Sequence, residues 1–429
     1  MKNQDEEILH MSNRIKLENG LTLVYEHIPN VRSVAIGFWV ACGSRNEAPA
    51  EQGISHLLEH MLFKGTELRS ARKIAETIDA VGGHLNAFTT KEYTCYYVKI
   101  LDQHLRLGLE LLADMVINPL IAPEELEKEK NVILEEVRMY EDNPDELIYD
   151  LLVQTLLQDH PLGHPILGTP ESILQTSRAD LIRFKERFYT PDNSCLAIAG
   201  NFEVSQLLED CNTFWRKLRG SYTSEESSPV QTTGTTCLRK KDTEQVHLCI
   251  GVPGFHRQHQ DRYALLVLNN LFGGSSSSRL FQELREERGL VYSTGAYYSA
   301  FRDTGLFSIY AGTSRKNFPR VLSLIWKELK RLQVEPVPAA ELKRAKEQIK
   351  GNLWLSLENT TNRMSRLAKS ELFYGRFIPP EEVLAAVERV TAEDLIRIAG
   401  DLFREEQITL AALGPFDEED EAIAKGWKK

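Results

Sequence analysis

The chain repeats itself. Asp180-Leu181-Ile182-Arg183 recurs as Asp394-Leu395-Ile396-Arg397, and at the same offset LAIAGNF at 196–202 lines up with LAALGPF at 410–416. Upstream, NPLIAPEEL at 118–126 parallels VEPVPAAEL at 334–342 at a nearly equal interval. A helix signal followed by a strand signal at a near-constant spacing is hard to produce by chance. The chain therefore reads as a tandem duplication of a domain of roughly 200 residues. Between the copies, RGSYTSEESSPVQTTGTT at 219–236 is rich in Ser, Thr, Gly and Glu, as linkers are. This divides the chain into 1–220, a linker at 221–236, and 237–429.

Each half mixes two periodicities. LTLVYEH (21–27), SVAIGFWV (33–40), EYTCYYVKI (92–100) and SCLAIAGNF (194–202) are β-branched or aromatic-rich and read as strands. SARKIAETIDAVGG reads as a helix that Ser70 caps and Gly82 ends, and another helix starts at Pro123 with Glu124 and Glu125 in its first turn. The order predicts an α+β fold: two tandem homologous domains, each a mixed β-sheet with helices packed on one face.

Composition narrows the function. Hydrophobic residues make up 42% and charged residues 26% of the 429, as in an ordinary globular protein. No apolar run approaches the ~18 residues of a membrane span, so no membrane partner is expected. A net charge of -11 argues against nucleic acid as a partner. Six cysteines without a CxxC pair read as small buried hydrophobes in a reducing compartment. The N-terminal MKNQDEEILHMSNRIKLENG lacks a basic region leading into an apolar one, so no secretory signal is expected and the expected location is cytoplasmic.

The duplication supplies its own control. HLLEHMLF at 56–63 in the first half becomes LLVLNNLF at 265–272 in the second, and Glu129 and Glu136 fall opposite Ala345 and Asn352. The apolar positions persist in both copies, whereas the metal-binding residue types occur in one. Packing alone does not require them.

His56 and His60 are four apart, so on a helix their imidazoles project from one face. Ile54, Leu57, Leu58, Met61, Leu62 and Phe63 make that helix apolar nearly all round and hence buried, with Gly65 closing it. Two histidines and a carboxylate, Glu59, in a buried helix need partners, and a zinc ion held by neutral imidazoles provides one. A catalytic zinc takes three protein ligands, and the helix PEELEKEKNVILEEVRMYED at 123–142 offers Glu129 and Glu136 on one face.

HLLEH, then NAFTTKEYTCYY, then EKEKNVILEE resembles the pitrilysin-type, or inverzincin, zinc metallopeptidases. The likeness is greatest to the catalytic subunit of mitochondrial processing peptidase and its bacterial relatives, and spans nearly the whole chain. The resemblance implies His56, His60 and Glu136 as zinc ligands, Glu129 as a supporting acid behind them, and Glu59 as the general base. It also implies that the segment at 82–89 is an edge strand to which a peptide substrate adds, with Asn86, Ala87 and the adjoining Phe88 in contact with it. In the second half, SRLFQELREERGLVYS resembles a family signature in which Arg285 and Tyr292 assist catalysis. The Gly/Ser-rich FGGSSSSR at 272–279 lacks the GKS/T ending of a phosphate loop. At 160–168, HPLGHPILG carries His164 where relatives often have Arg.

Glu146 and Asp150 stand one helical turn apart, and no basic residue lies between 139 and 159 to offset them. In processing peptidases this position holds a pair that grips an Arg near the cleavage point, so a basic, leader-like peptide is the expected substrate. The single-chain relatives close four such domains around the substrate, which implies a homodimer here. Two other functions compete: a non-catalytic structural member of the same fold, and a general oligopeptide-degrading peptidase.

Overall fold

The computed structural model describes residues 12–158, 160–223, 230, 232 and 234–428. Residues 1–11 and much of the 221–236 stretch lie outside the described residues.

The duplication is written in the sheets. The first sheet holds β1 (Ser12–Lys16), β2 (Thr22–His27), β3 (Ser33–Val40), β4 (His84–Thr89), β5 (Thr94–Leu101) and β6 (Ser194–Gly200), in the order β1-β2-β6-β3-β5-β4. The second holds β7 (Thr236–Lys240), β8 (Val246–Gly254), β9 (Val291–Ala300), β10 (Gly305–Thr313) and β11 (Thr409–Gly414), in the order β7-β11-β8-β10-β9. Apart from β1 the two orders are the same. The β2–β6 and β7–β11 pairs are parallel, while β6–β3 and β11–β8 are antiparallel. Both halves thus form mixed α+β domains as expected.

Alternation along the central strands builds two layers at once. In β3, Val34, Ile36, Phe38 and Val40 join the main core, which also takes Leu57, Leu58, Leu109, Leu112 and Ile133 from the helices on that face. Ala35 and Trp39 point the other way and, with Cys195, Ala197 and Ala199 of β6, meet Met364, Leu367 and Ala368 of the helix Thr360–Tyr374. Around Ala35, Cys195, Ala197 and Ala199 that second face is built from small residues, so a helix can lie close to it. A Cβ on Gly37 would come within 2.5 Å of the Met364 sulfur, and the Trp39 indole N–H donates to that sulfur at 3.2 Å.

The second sheet has a corresponding covering helix, Pro144–Leu157. Its Ile148, Leu152 and Leu156 pack with Cys249, Leu306, Ala411 and Leu413. One compact unit therefore comprises the described residues of 1–137, 164–227 and 355–378, and the other those of 138–163, 228–354 and 379–429. Each unit takes its covering helix from the opposite half of the sequence. Five of the six cysteines are buried, Cys237 is half-buried, and all are free.

Candidate metal centre

The helix Ile54–Leu62 starts from a strained point. Gly53 has φ +86°, and a Cβ there would lie 2.6 Å from the Leu167 carbonyl oxygen, so only glycine fits. The first-turn N–H groups are met by a carboxylate from outside the helix. Glu47 accepts from Gly53 N at 2.8 Å and from Ser55 N at 2.9 Å. Burial pushes the Glu47 carboxyl up to about 7, against the pull of those two hydrogen bonds.

One turn further on, the imidazoles of His56 and His60 stand side by side with ring centroids 4.6 Å apart. The carboxylate of Glu136, from the helix Pro123–Asp142, reaches them with Oε1 at 3.8 Å from His56 Nε2 and Oε2 at 3.7 Å from His60 Nε2. One donor atom from each of the three lies within 4.8 Å of the others. Glu129, two turns earlier on that helix, takes the far side of His60, Oε2 to Nδ1 at 3.0 Å, and its other oxygen meets Lys64 Nζ at 2.5 Å. A proton held on His60 Nδ1 by Glu129 leaves the Nε2 lone pair facing Glu136.

This donor set fits zinc. Tetrahedral bonds of roughly 2.0–2.1 Å place ligand atoms roughly 3.4 Å apart, close to the separations at Glu136. His56 Nδ1 is buried without a hydrogen-bond partner, and its Nε2 is too far from Glu136 for a hydrogen bond. Burial, helped by His60, pulls the His56 pKa down to about 3, so the ring is neutral and its lone pair is free to bind a cation.

Glu59 lies on the same helix but does not join the three donors. It is 8% exposed, and its Oε2 accepts the Thr89 hydroxyl at 2.5 Å. Burial raises its pKa to about 6, with the Thr89 bond opposing the rise. Thr89 ends β4, which forms the edge of its sheet. Asn86 is exposed, and Ala87 packs towards the main core. The Phe88 ring packs on the opposite face against Trp39, Tyr93 and Tyr97, which leaves the main chain of this residue for any contact along the edge. The Lys91 ammonium is bonded to the His164 carbonyl oxygen.

In the other unit, Arg285 and Tyr292 meet directly. The guanidinium donates to the Tyr292 carbonyl oxygen at 2.9 Å and stands 5.1 Å from the phenol ring centroid. Tyr292 is 76% exposed. The helix Pro144–Leu157 begins at an Asn143 cap and is pinned there by Asp145. The Asp145 carboxylate contacts His247 Nδ1 at 2.8 Å and accepts the Tyr310 hydroxyl at 2.5 Å. The Tyr140 hydroxyl sits against Glu146 and Asp150, and burial with those two acids pushes its pKa up.

Residues 22–170 match the family model described as Insulinase (Peptidase family M16), and residues 175–349 match the Peptidase M16 inactive domain. An uncharacterized zinc protease of Bacillus subtilis is 44% identical over 407 residues, which cover 94% of this chain and 98% of the relative. The chain belongs to peptidase family M16. An uncharacterized zinc protease of Rickettsia bellii is 38% identical over 93% of this chain and 97% of its own length. Zinc is the metal of these relatives. Among solved structures, a protease from Helicobacter pylori superposes with a TM-score of 0.86 at 23% identity, covering 94% of this chain and 99% of that one. A chain of complex III2 from Candida albicans superposes with a TM-score of 0.83 at 22% identity, covering 97% and 99%. These two share the fold.

Sequence reasoning missed Glu47, Lys64 and Thr89. All three act through contacts with residues around the HxxEH helix or with Glu129; Glu47 and Lys64 lie outside the sequence motifs, and Thr89 lies in NAFTTKEYTCYY with no spacing that ties it to Glu59.

Proposed function

We propose that this M16 peptidase is a zinc-dependent endopeptidase of the processing-peptidase kind, active as a cytoplasmic homodimer on extended, basic, leader-like peptides. His56, His60 and Glu136 hold the metal, and Glu129 orients His60. Bound zinc supplies a Lewis acid that polarises the scissile carbonyl and acidifies water. Glu59 takes a proton from the attacking water and passes it to the departing amine. The open edge of β4, around Asn86, Ala87 and Phe88, receives the peptide as an added strand. Arg285 and Tyr292 steady the developing oxyanion, and Glu146 and Asp150 take an Arg side chain. The repeated units behind this reading are 1–220 and 237–429, joined by 221–236.

One observation carries the proposal. Two imidazoles and a carboxylate converge within 4.8 Å in a copy of the fold whose twin has Leu265, Asn269 and Asn352 at those positions. A structural subunit of the same fold has no need of these donors, which disfavours that alternative despite the likeness to the complex III2 chain. A general oligopeptidase would share the zinc chemistry and lack the preference for Arg. The metal roles are tested by Glu59→Gln, which should keep about one zinc and lose hydrolysis, and by Glu136→Gln, which should lose both. Zinc release by Glu59→Gln, or retained activity, sinks the assignment.

A further inference from the structure

The edge strand and the acid on the HxxEH helix are joined by a single hydrogen bond. Thr89 Oγ1 donates to Glu59 Oε2 at 2.5 Å and lies 3.5 Å from Thr94 Oγ1. The Thr94 hydroxyl donates its own proton to the Cys42 carbonyl oxygen at 2.9 Å, and an ionised Glu59 can only accept. Thr94 Oγ1 could still accept, but at 2.5 Å against 3.5 Å the charged carboxylate is the acceptor that takes the Thr89 proton. This bond holds one carboxylate oxygen and leaves the other to act.

The second copy shows that the fold does not require the pair. Its hairpin β9–β10 repeats the geometry of β4–β5. Thr90 N bonds to the Tyr93 carbonyl at 2.9 Å in the first, and Phe301 N bonds to the Thr304 carbonyl at 2.8 Å in the second. By that register Thr89, opposite Thr94, corresponds to Ala300, opposite Gly305. Glu59 corresponds to Leu268, which is fully buried. Hydroxyl and carboxylate are present together in one copy and replaced together in the other, although hairpin and helix persist in both. A hydroxyl kept for strand stability would have no reason to vanish with its acceptor.

We propose that Thr89 is a positioning residue for Glu59, through which the strand that receives the peptide sets the orientation of the general base. The inference rests on the peptidase reading above and adds a link between its two parts. Ala87 and Thr89 share one side of β4, so main-chain pairing along this edge acts on the same short segment that anchors the base. A peptide seated in register holds Glu59 in place.

The test compares Thr89→Val, which keeps the shape and deletes the hydroxyl, with Thr89→Ser, which keeps the hydroxyl. Thr89→Ala, the residue type at Ala300, serves as a second deletion. In the zinc-loaded full chain, Val and Ala should lower kcat by roughly 10- to 100-fold, with KM and zinc content within about twofold, and Ser should retain wild-type kcat. Crystal structures of the metal-free variants should show one Glu59 orientation in Ser and more than one in Val. Unchanged kcat in Val and Ala, or an equal fall in Ser, overturns the positioning role. A wild-type chain with no peptidase activity sinks the underlying reading instead. The crystals then decide alone, and a Glu59 unmoved in Val overturns the proposal.

Discussion

The Glu47 carboxylate caps the HxxEH helix by accepting the Ser55 backbone N–H at 2.9 Å, from a position nine-tenths and more buried. A helix N-terminus favours an anion, while burial disfavours one, and here burial prevails. The segment that carries His56 and His60 is therefore hung from a titratable group.

That relationship gives a pH dependence whose sign can be worked out. The folded-state pKa of Glu47 is raised from 4.5 to about 7, so the folded chain binds this proton more tightly than the unfolded chain. Its stabilising contribution is complete below pH 4.5 and is lost as pH rises through 7, a swing of about 3 kcal/mol. Glu47→Gln cannot titrate. In metal-free protein, urea denaturation at pH 5 and pH 8 should show wild type losing stability relative to Glu47→Gln as pH rises. A constant difference between the two would contradict the shift.

The contact between Arg285 and Tyr292 leads to a test of assembly. If this pair serves the zinc of a second copy, inactive Glu59→Gln chains mixed with inactive Tyr292→Phe chains should regain activity through hybrid dimers. About a quarter of wild-type activity is the scale expected from random exchange when one site in each hybrid is intact. No recovery after exchange has been verified by mass would count against a shared site.

Substrate charge is tested on the helix Pro144–Leu157. Replacing Glu146 by Gln and Asp150 by Asn should raise KM for Arg-bearing peptides by roughly 10-fold or more, the scale of a lost charge-assisted contact, and leave Arg-free peptides unaffected. Wild type should cleave two residues after the Arg, as read by mass spectrometry of the products. An equal loss on both peptide sets would remove this pair from the recognition of substrate.

The HxxEH helix, the duplication and the strands that carry the fold were legible because each is a local or periodic signal. His56 and His60 share a helix face by spacing alone, and LAIAGNF reads as a buried strand wherever it is placed. The second copy made the reading sharper, since the same apolar pattern appears there with Leu268 in place of Glu59.

Tertiary structure decided the rest. A periodic pattern says that the helix Thr360–Tyr374 has an apolar face, but not that the face covers a sheet formed by the other half of the chain. Nor does it say that Phe88 turns its ring into an aromatic cluster, that Glu129 and Glu136 divide into one acid against Nδ1 and one against Nε2, or that Thr89 reaches Glu59 across thirty residues of chain. The reason is physical. Spacing sets which side of its own element a side chain occupies, whereas a hydrogen bond between elements depends on sub-ångström distances set by how they pack. The sequence alone determined that this chain carries two histidines and two glutamates at spacings suited to zinc. The packed structure decided what holds each of them in place.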